Sequence, residues 1–121
     1  MIACCDPHVE WHSHFAAADL GAGGVYYGHD GLRRWHRDLS DAWGDDVRAE
    51  PEAYFDLGEH TLASYVLRGR GRHSGADVAM PATGLARWRD GLIVYFKDYE
   101  KRGDALSELG ISEEALEPIA P

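Results

Sequence analysis

The sequence predicts an α+β fold in which one amphipathic helix precedes a curved antiparallel sheet. Two observations carry this. Apolar residues fall on a helical stripe between residues 31 and 43, where Leu32, Trp35, Leu39 and Trp43 share a face. Four long β-type segments then fill residues 47–99 with no helix between them. Turn signals at Gly58-Glu59, Gly75 and Asp90-Gly91 separate them, as in a meander.

At 121 residues the chain is one domain, large enough for a core without disulfides or structural metal. A net charge of −9 argues against a nucleic-acid partner, which needs concentrated Lys and Arg. No apolar run approaches the roughly 20 residues of a membrane span, and residues 1–5 lack the basic and hydrophobic regions of a signal peptide. Cys4 and Cys5 are adjacent, so they cannot staple distant segments, and no zinc spacing accompanies them. A reducing cytoplasm is the expected location.

Taken in order, Cys5-Asp6-Pro7-His8 reads as a turn before the alternating strand Val9–His14. Val9, Trp11 and Ser13 share one face of it, and Glu10, His12 and His14 the other. Residues 16–24 are small and Gly-rich and read as a mobile loop without a phosphate-binding pattern. Asp30 suits the N-cap of a helix from Gly31 to Trp43, with His36 at the flank of its apolar stripe and Gly44-Asp45-Asp46 as its stop. Val47–Leu57 is a strand broken by Pro51, which suits a sheet edge or a bulge. Thr61–Arg72 and Ala76–Arg89 follow as strands. Asp90-Gly91 then turns the chain into Leu92–Tyr99, the most β-prone stretch, and Glu100–Leu109 reads as a short helix. The domain spans residues 1–110. Residues 111–121 form an acidic tail.

Alternation on the last strand puts Val94, Phe96 and Asp98 on one face, and Ile93, Tyr95 and Lys97 on the other. A carboxylate sharing a face with two bulky apolar residues costs several kcal/mol unless it is paired or protonated. Asp98 is therefore either a pocket acid/base or a strand-end carboxylate that caps the next segment or pairs with Arg87 or Arg89. His36 is either a satisfied core residue or a pocket acid/base. Trp11, Trp35, Trp88, Tyr65 and Phe96 suit a pocket wall or simply a core. His12 and His14 are spaced for a two-His metal site but have no evident third ligand. In Arg68-Gly69-Arg70-Gly71-Arg72 the arginines share one strand face and read as a solvated stripe paired with acids.

Several blocks together resemble a known family. They are Asp6-Pro7-His8-Val9-Glu10-Trp11-His12, Gly24-Val25-Tyr26-Tyr27-Gly28-His29-Asp30-Gly31-Leu32-Arg33-Arg34-Trp35, Leu67-Arg68-Gly69-Arg70-Gly71, Arg89-Asp90-Gly91-Leu92-Ile93, and Tyr99 with Asp104-Ala105-Leu106. Over about Cys5 to Gly110 the chain resembles a SnoaL-like domain of the nuclear transport factor 2-like superfamily. The resemblance implies a cone-shaped sheet, antiparallel or mixed, wrapped around a long helix and enclosing a mostly apolar pocket. The wider superfamily includes polyketide cyclases, ketosteroid isomerase, scytalone dehydratase and limonene epoxide hydrolase. It also implies one or two helices before the first strand. Only five residues precede Asp6, so those helices are expected to be missing, and the pocket to close through upstream sequence or a dimer partner.

By similarity to the epoxide hydrolase branch, Asp98 occupies the position of a general base, and Trp11 and Ser13 stand where water-holding residues lie. The second acid of that site is missing, because Tyr65 and Leu67 fall at its Arg-x-Asp pair. The expected function is thus isomerisation, cyclisation or dehydration of a hydrophobic carbonyl-containing metabolite, with no cofactor and no metal. Asp98 is the expected base, Tyr65 or His36 the donor, and Trp11, Ser13, Trp35, Leu67, Trp88 and Phe96 the substrate-binding wall. The alternatives are a ligand-binding or dimerisation module of the same fold, or an atypical epoxide hydrolase. A homodimer is expected by family analogy, with a hydrophobic small-molecule ligand as partner, and neither nucleic acid nor membrane.

Overall fold

The structure, a computed structural model, describes residues 2–14, 24–44, 47–70, 75 and 77–112, without the Val78 side chain. The predicted loop over residues 16–24 and the tail from residue 113 onward lie almost wholly outside these. A short 3-10 turn, Ile2–Cys4, leads into β1 (Cys5–His12), followed by β2 (Val25–Tyr27) and α1 (Gly28–Trp43). Strands β3 (Arg48–Asp56), β4 (His60–Arg70), β5 (Asp77–Arg89) and β6 (Leu92–Tyr99) follow, and then α2 (Arg102–Leu109).

The strands form one six-stranded sheet in the order β2-β1-β6-β5-β4-β3, which does not close into a barrel. The meander from β3 to β6 is antiparallel throughout. β1 lies parallel to β6, so the sheet is mixed. The Asp90-Gly91 turn carries positive φ at both residues, 53° and 78°, the geometry that an Asp-Gly hairpin favours.

Alternation sorts the core onto the two faces of the sheet. On one face α1 buries Leu32 with Val9, Trp11 and Tyr26, and Leu39 and Trp43 with Leu67 and Ala82. On the other, α2 buries Ala105 and Leu106 against Phe55, Leu62, Leu85 and Tyr99. Helix α1 begins at Gly28, three residues before the expected start, and Asp30 lies in its first turn, where it pairs with Arg33 at 2.7 Å. Gly28 suits that start because its φ is +68° and a Cβ there would sit 2.9 Å from the Pro7 carbonyl oxygen.

Two irregularities reset the alternation. The register of β3 shifts between Pro51 and Ala53, on an edge strand, as the proline implies. A second shift pairs Arg87 with Tyr95 but Trp88 with Ile93, leaving Val94 as the extra residue. Ile93 therefore packs with Phe96 in the cluster around Trp11, contrary to the simple alternation that puts it on the Tyr95 face.

Candidate active site

Asp98 lies near the end of β6, opposite Gly84 on β5, and is 3% exposed. The parallel pairing of β1 with β6 brings the residues after β1 to its carboxylate. The Ser13 N–H donates to the Gly24 carbonyl at 2.6 Å, which ties residue 13 to the start of β2. The Ser13 hydroxyl donates to Asp98 Oδ2 at 3.4 Å, and the His14 backbone N–H donates to Asp98 Oδ1. Burial pushes the Asp98 pKa up from its ordinary 3.8 to about 6; the His14 N–H, the His14 charge and the Ser13 hydroxyl oppose the rise. Arg87 stands opposite Tyr95 on the other face, so the Arg87 pair allowed by the sequence does not form, and no Lys or Arg among the described residues pairs with Asp98.

Asp98 borders a cavity of about 190 Å³ between α1 and the sheet. Trp11 and Phe96 form one wall, with ring centroids 4.0 Å apart and planes within 19° of parallel. Trp35 tilts against Trp11 at 5.1 Å, and Leu39 continues the helical wall. Ala49, Tyr65 and Leu67 close the side formed by β3 and β4. Gly84 makes this packing possible, since a Cβ there would lie 2.8 Å from Phe96 and 3.2 Å from Tyr65. A second, more polar depression of about 290 Å³, bordered by His12, His14, Lys97, Glu100 and Asp104, also reaches Asp98.

Tyr65, Trp11 and Trp35 border this cavity, whose accessible lining is apolar. Burial first, and the Asp98 charge second, drive the Tyr65 hydroxyl far above its ordinary pKa, so it stays protonated and able to donate. The indole Nε1 atoms of Trp11 and Trp35 are buried and have no hydrogen-bond partner. An unmet buried donor costs about 1–3 kcal/mol, so this wall is less stable than a satisfied one.

Of the expected site residues, Asp98, Tyr65, Trp11, Ser13, Trp35, Leu67 and Phe96 meet at this cavity. Two do not. His36 is exposed on the outer flank of α1 beside Ile2, Ala3 and Arg33, because its helical phase carries it past the buried stripe. Trp88 has the right strand parity but sits at the β5–β6 hairpin end, beyond the reach of α1, and is 36% exposed. Leu39 and Ala49 join the wall unannounced; Leu39 reads as ordinary core, and Ala49 carries no signal of its own. The His14 N–H is a backbone group, which no side-chain pattern reveals.

His12 pairs with Glu10 at 2.7 Å, and His14 lies 3.6 Å from Glu100. Among the described residues no group of three His, Cys, Asp or Glu could hold a metal. Arg68 pairs with Glu50 at 2.8 Å and Arg70 with Asp77 at 3.4 Å, as a solvated stripe should. No helix among the described residues is long and apolar enough to cross a membrane.

The family model of the SnoaL-like domain matches residues 1–96. The chain belongs to that family. Solved structures share the SnoaL-like architecture at low identity. An NTF2-like protein of unknown function from Burkholderia pseudomallei is 21% identical, with a TM-score of 0.72 over 88% of this chain and 79% of its own. A Catenulispora acidiphila protein with a ketosteroid isomerase-like fold, in complex with trimethylamine, is 17% identical, with a TM-score of 0.71 over 99% and 84%. A candidate SnoaL-like polyketide cyclase from Mesorhizobium loti is 18% identical, with a TM-score of 0.63 over 78% and 77%. At these identities the likeness concerns the fold of the SnoaL-like chain. No curated protein matches it.

Proposed function

We propose that this SnoaL-like protein is an acid/base enzyme that moves a proton α to a carbonyl in a hydrophobic small molecule, and needs no cofactor to do so. One observation carries the reading: Asp98, 3% exposed, unpaired by Lys or Arg among the described residues and with its pKa raised to about 6, borders an apolar cavity. A base with a pKa near neutrality is ionised at working pH yet strong enough to accept a carbon-bound proton.

Asp98 takes the proton from the α-carbon, and the electron pair moves onto the carbonyl oxygen. The neutral Tyr65 hydroxyl donates to that oxygen as it becomes an enolate. Protonated Asp98 then returns its proton at another carbon to isomerise the substrate. Alternatively the enolate carbon attacks a second carbonyl to close a ring, the new alkoxide taking the proton held by Asp98, or a β-hydroxyl takes that proton and leaves as water. Ser13 and the His14 N–H hold the carboxylate, and Trp11, Trp35, Leu67 and Phe96 exclude water. Among the described residues Asp98 is the sole carboxylate bordering the apolar cavity, which favours this chemistry over the two-acid epoxide hydrolase type.

The test is exchange of α-hydrogens for deuterium in small ketones, followed by NMR for the native protein and Asp98→Asn. Exchange that is catalysed by the native protein and lost in the variant supports the assignment. Equal catalysed exchange by both would remove Asp98 as the base, and none above buffer alongside measurable binding would make the chain a ligand-binding module.

A further inference from the structure

We propose that the His14 imidazole is a positioning residue for Asp98: from the polar depression it favours the ionised carboxylate, and so sets the pH at which that carboxylate works as a base. This rests on the reading of Asp98 as the reacting base and deepens it. Three observations converge on His14.

The first is the side on which Asp98 meets polar groups. The cavity has an apolar accessible lining, whereas the depression of about 290 Å³ is bordered by His12, His14, Lys97, Glu100 and Asp104. Ser13 and His14, whose hydroxyl and backbone N–H donate to the carboxylate, both border that depression.

The second is where the imidazole stands. The N–H of residue 14 is bound to Asp98 Oδ1, so the side chain of that residue starts beside the carboxylate. Its Nε2 lies 3.6 Å from Glu100, two residues beyond Asp98 in the chain. A protonated imidazole there has Asp98, Glu100 and Asp104 on one shared depression.

The third is the engagement of the neighbouring charges. Lys97 is held by Glu108 at 3.0 Å and His12 by Glu10 at 2.7 Å. From the cavity side β4 presents Tyr65, which stays neutral, while α1 presents Trp35 and Leu39 and β5 places Gly84 opposite Asp98. The His14 charge therefore bears on Asp98 from the depression, where it opposes the effect of burial.

The experiment labels aspartate with carbon-13 at the side-chain carboxyl and follows Asp98, assigned by its loss in Asp98→Asn, through an NMR pH titration. The proteins are the native chain, His14→Gln and His14→Lys. Residue 14 is exposed and both substitutions keep its backbone N–H; glutamine removes the charge and lysine retains it. The Asp98 midpoint should rise by about 0.5–1 pH unit in His14→Gln, the effect of one partly screened charge nearby, and return to the native value or below it in His14→Lys. A His14→Gln midpoint at or below the native one overturns the proposal, and so does a rise in His14→Lys as large as that in His14→Gln.

The outcome is separable from that of the acid/base reading. Where α-hydrogen exchange is catalysed, its acid limb should move with the NMR midpoint. A midpoint raised in His14→Gln, in a protein that exchanges no ketone, leaves the His14 assignment standing and removes the catalytic one. Exchange that is lost in Asp98→Asn but keeps the native pH profile in His14→Gln does the reverse.

Discussion

Replacing Asp98 by Asn should make the protein more stable at pH 8 and leave its stability nearly unchanged at pH 4. The raised pKa means that folding favours the protonated acid, so the native chain binds more protons than the unfolded chain between about pH 4 and pH 6. Stability contributed by this group is therefore present at low pH and lost as pH rises through that window. A rise from 3.8 to about 6, at 1.36 kcal/mol per pKa unit, corresponds to about 3 kcal/mol. Asparagine carries no charge, and its carbonyl can still accept from the His14 N–H while its amide faces the Ser13 hydroxyl. Urea denaturation of both proteins at half-unit pH steps reads the effect, because the two chains differ only at residue 98. The difference in unfolding free energy should rise from near zero at pH 4 toward about 3 kcal/mol above pH 7, with its midpoint near pH 5. A difference that stays flat with pH would refute the reasoning, because Asp98 would then titrate alike in the folded and unfolded chains.

Tyr65→Phe should lower turnover by about 10²–10³-fold, as loss of one oxyanion donor does, while native exposure and melting hold; steady-state kinetics on an exchanging ketone checks this. Gly84→Ala should destabilise by about 1–3 kcal/mol by driving a methyl group into Phe96 and Tyr65, read by thermal melting and by weakened ligand binding. His36→Ala should change neither turnover nor stability by more than about 0.5 kcal/mol, since the side chain is exposed and away from the cavity. Trp11→Ala should cost about 3–5 kcal/mol, because it removes a 4% exposed ring stacked on Phe96.

Strand parity and helix phase made much of this site legible in the sequence. Alternation alone puts Phe96 and Asp98 on one face of the last strand, and the 3.6-residue stripe brings Trp35 with Leu39. Neither period says how high along a sheet a residue stands, which is why Trp88 has the correct parity and the wrong place. Nor does either foresee an inserted residue: the shift at Val94 carries Ile93 onto the opposite face. The placement of β1 is a long-range fact. Local pattern marks Trp11 and Ser13 as one face of a strand, but only the parallel pairing with β6 sets that face beside Asp98. Family resemblance, not periodicity, anticipated this meeting. His36 fails for a smaller reason, since a flanking helical position lies close to the border between buried and exposed.

The same pairings explain why no Lys or Arg among the described residues meets the Asp98 charge. Arg87 faces away with Tyr95, Lys97 turns outward to Glu108 at 3.0 Å, and Arg68 and Arg70 pair with Glu50 and Asp77. Among the described residues the acid therefore has only a backbone N–H and a hydroxyl as hydrogen-bond donors, and these do not offset its desolvation. The two indoles on the same cavity wall are donors without acceptors. Both features lower stability, and both sit where apolar packing would have been available.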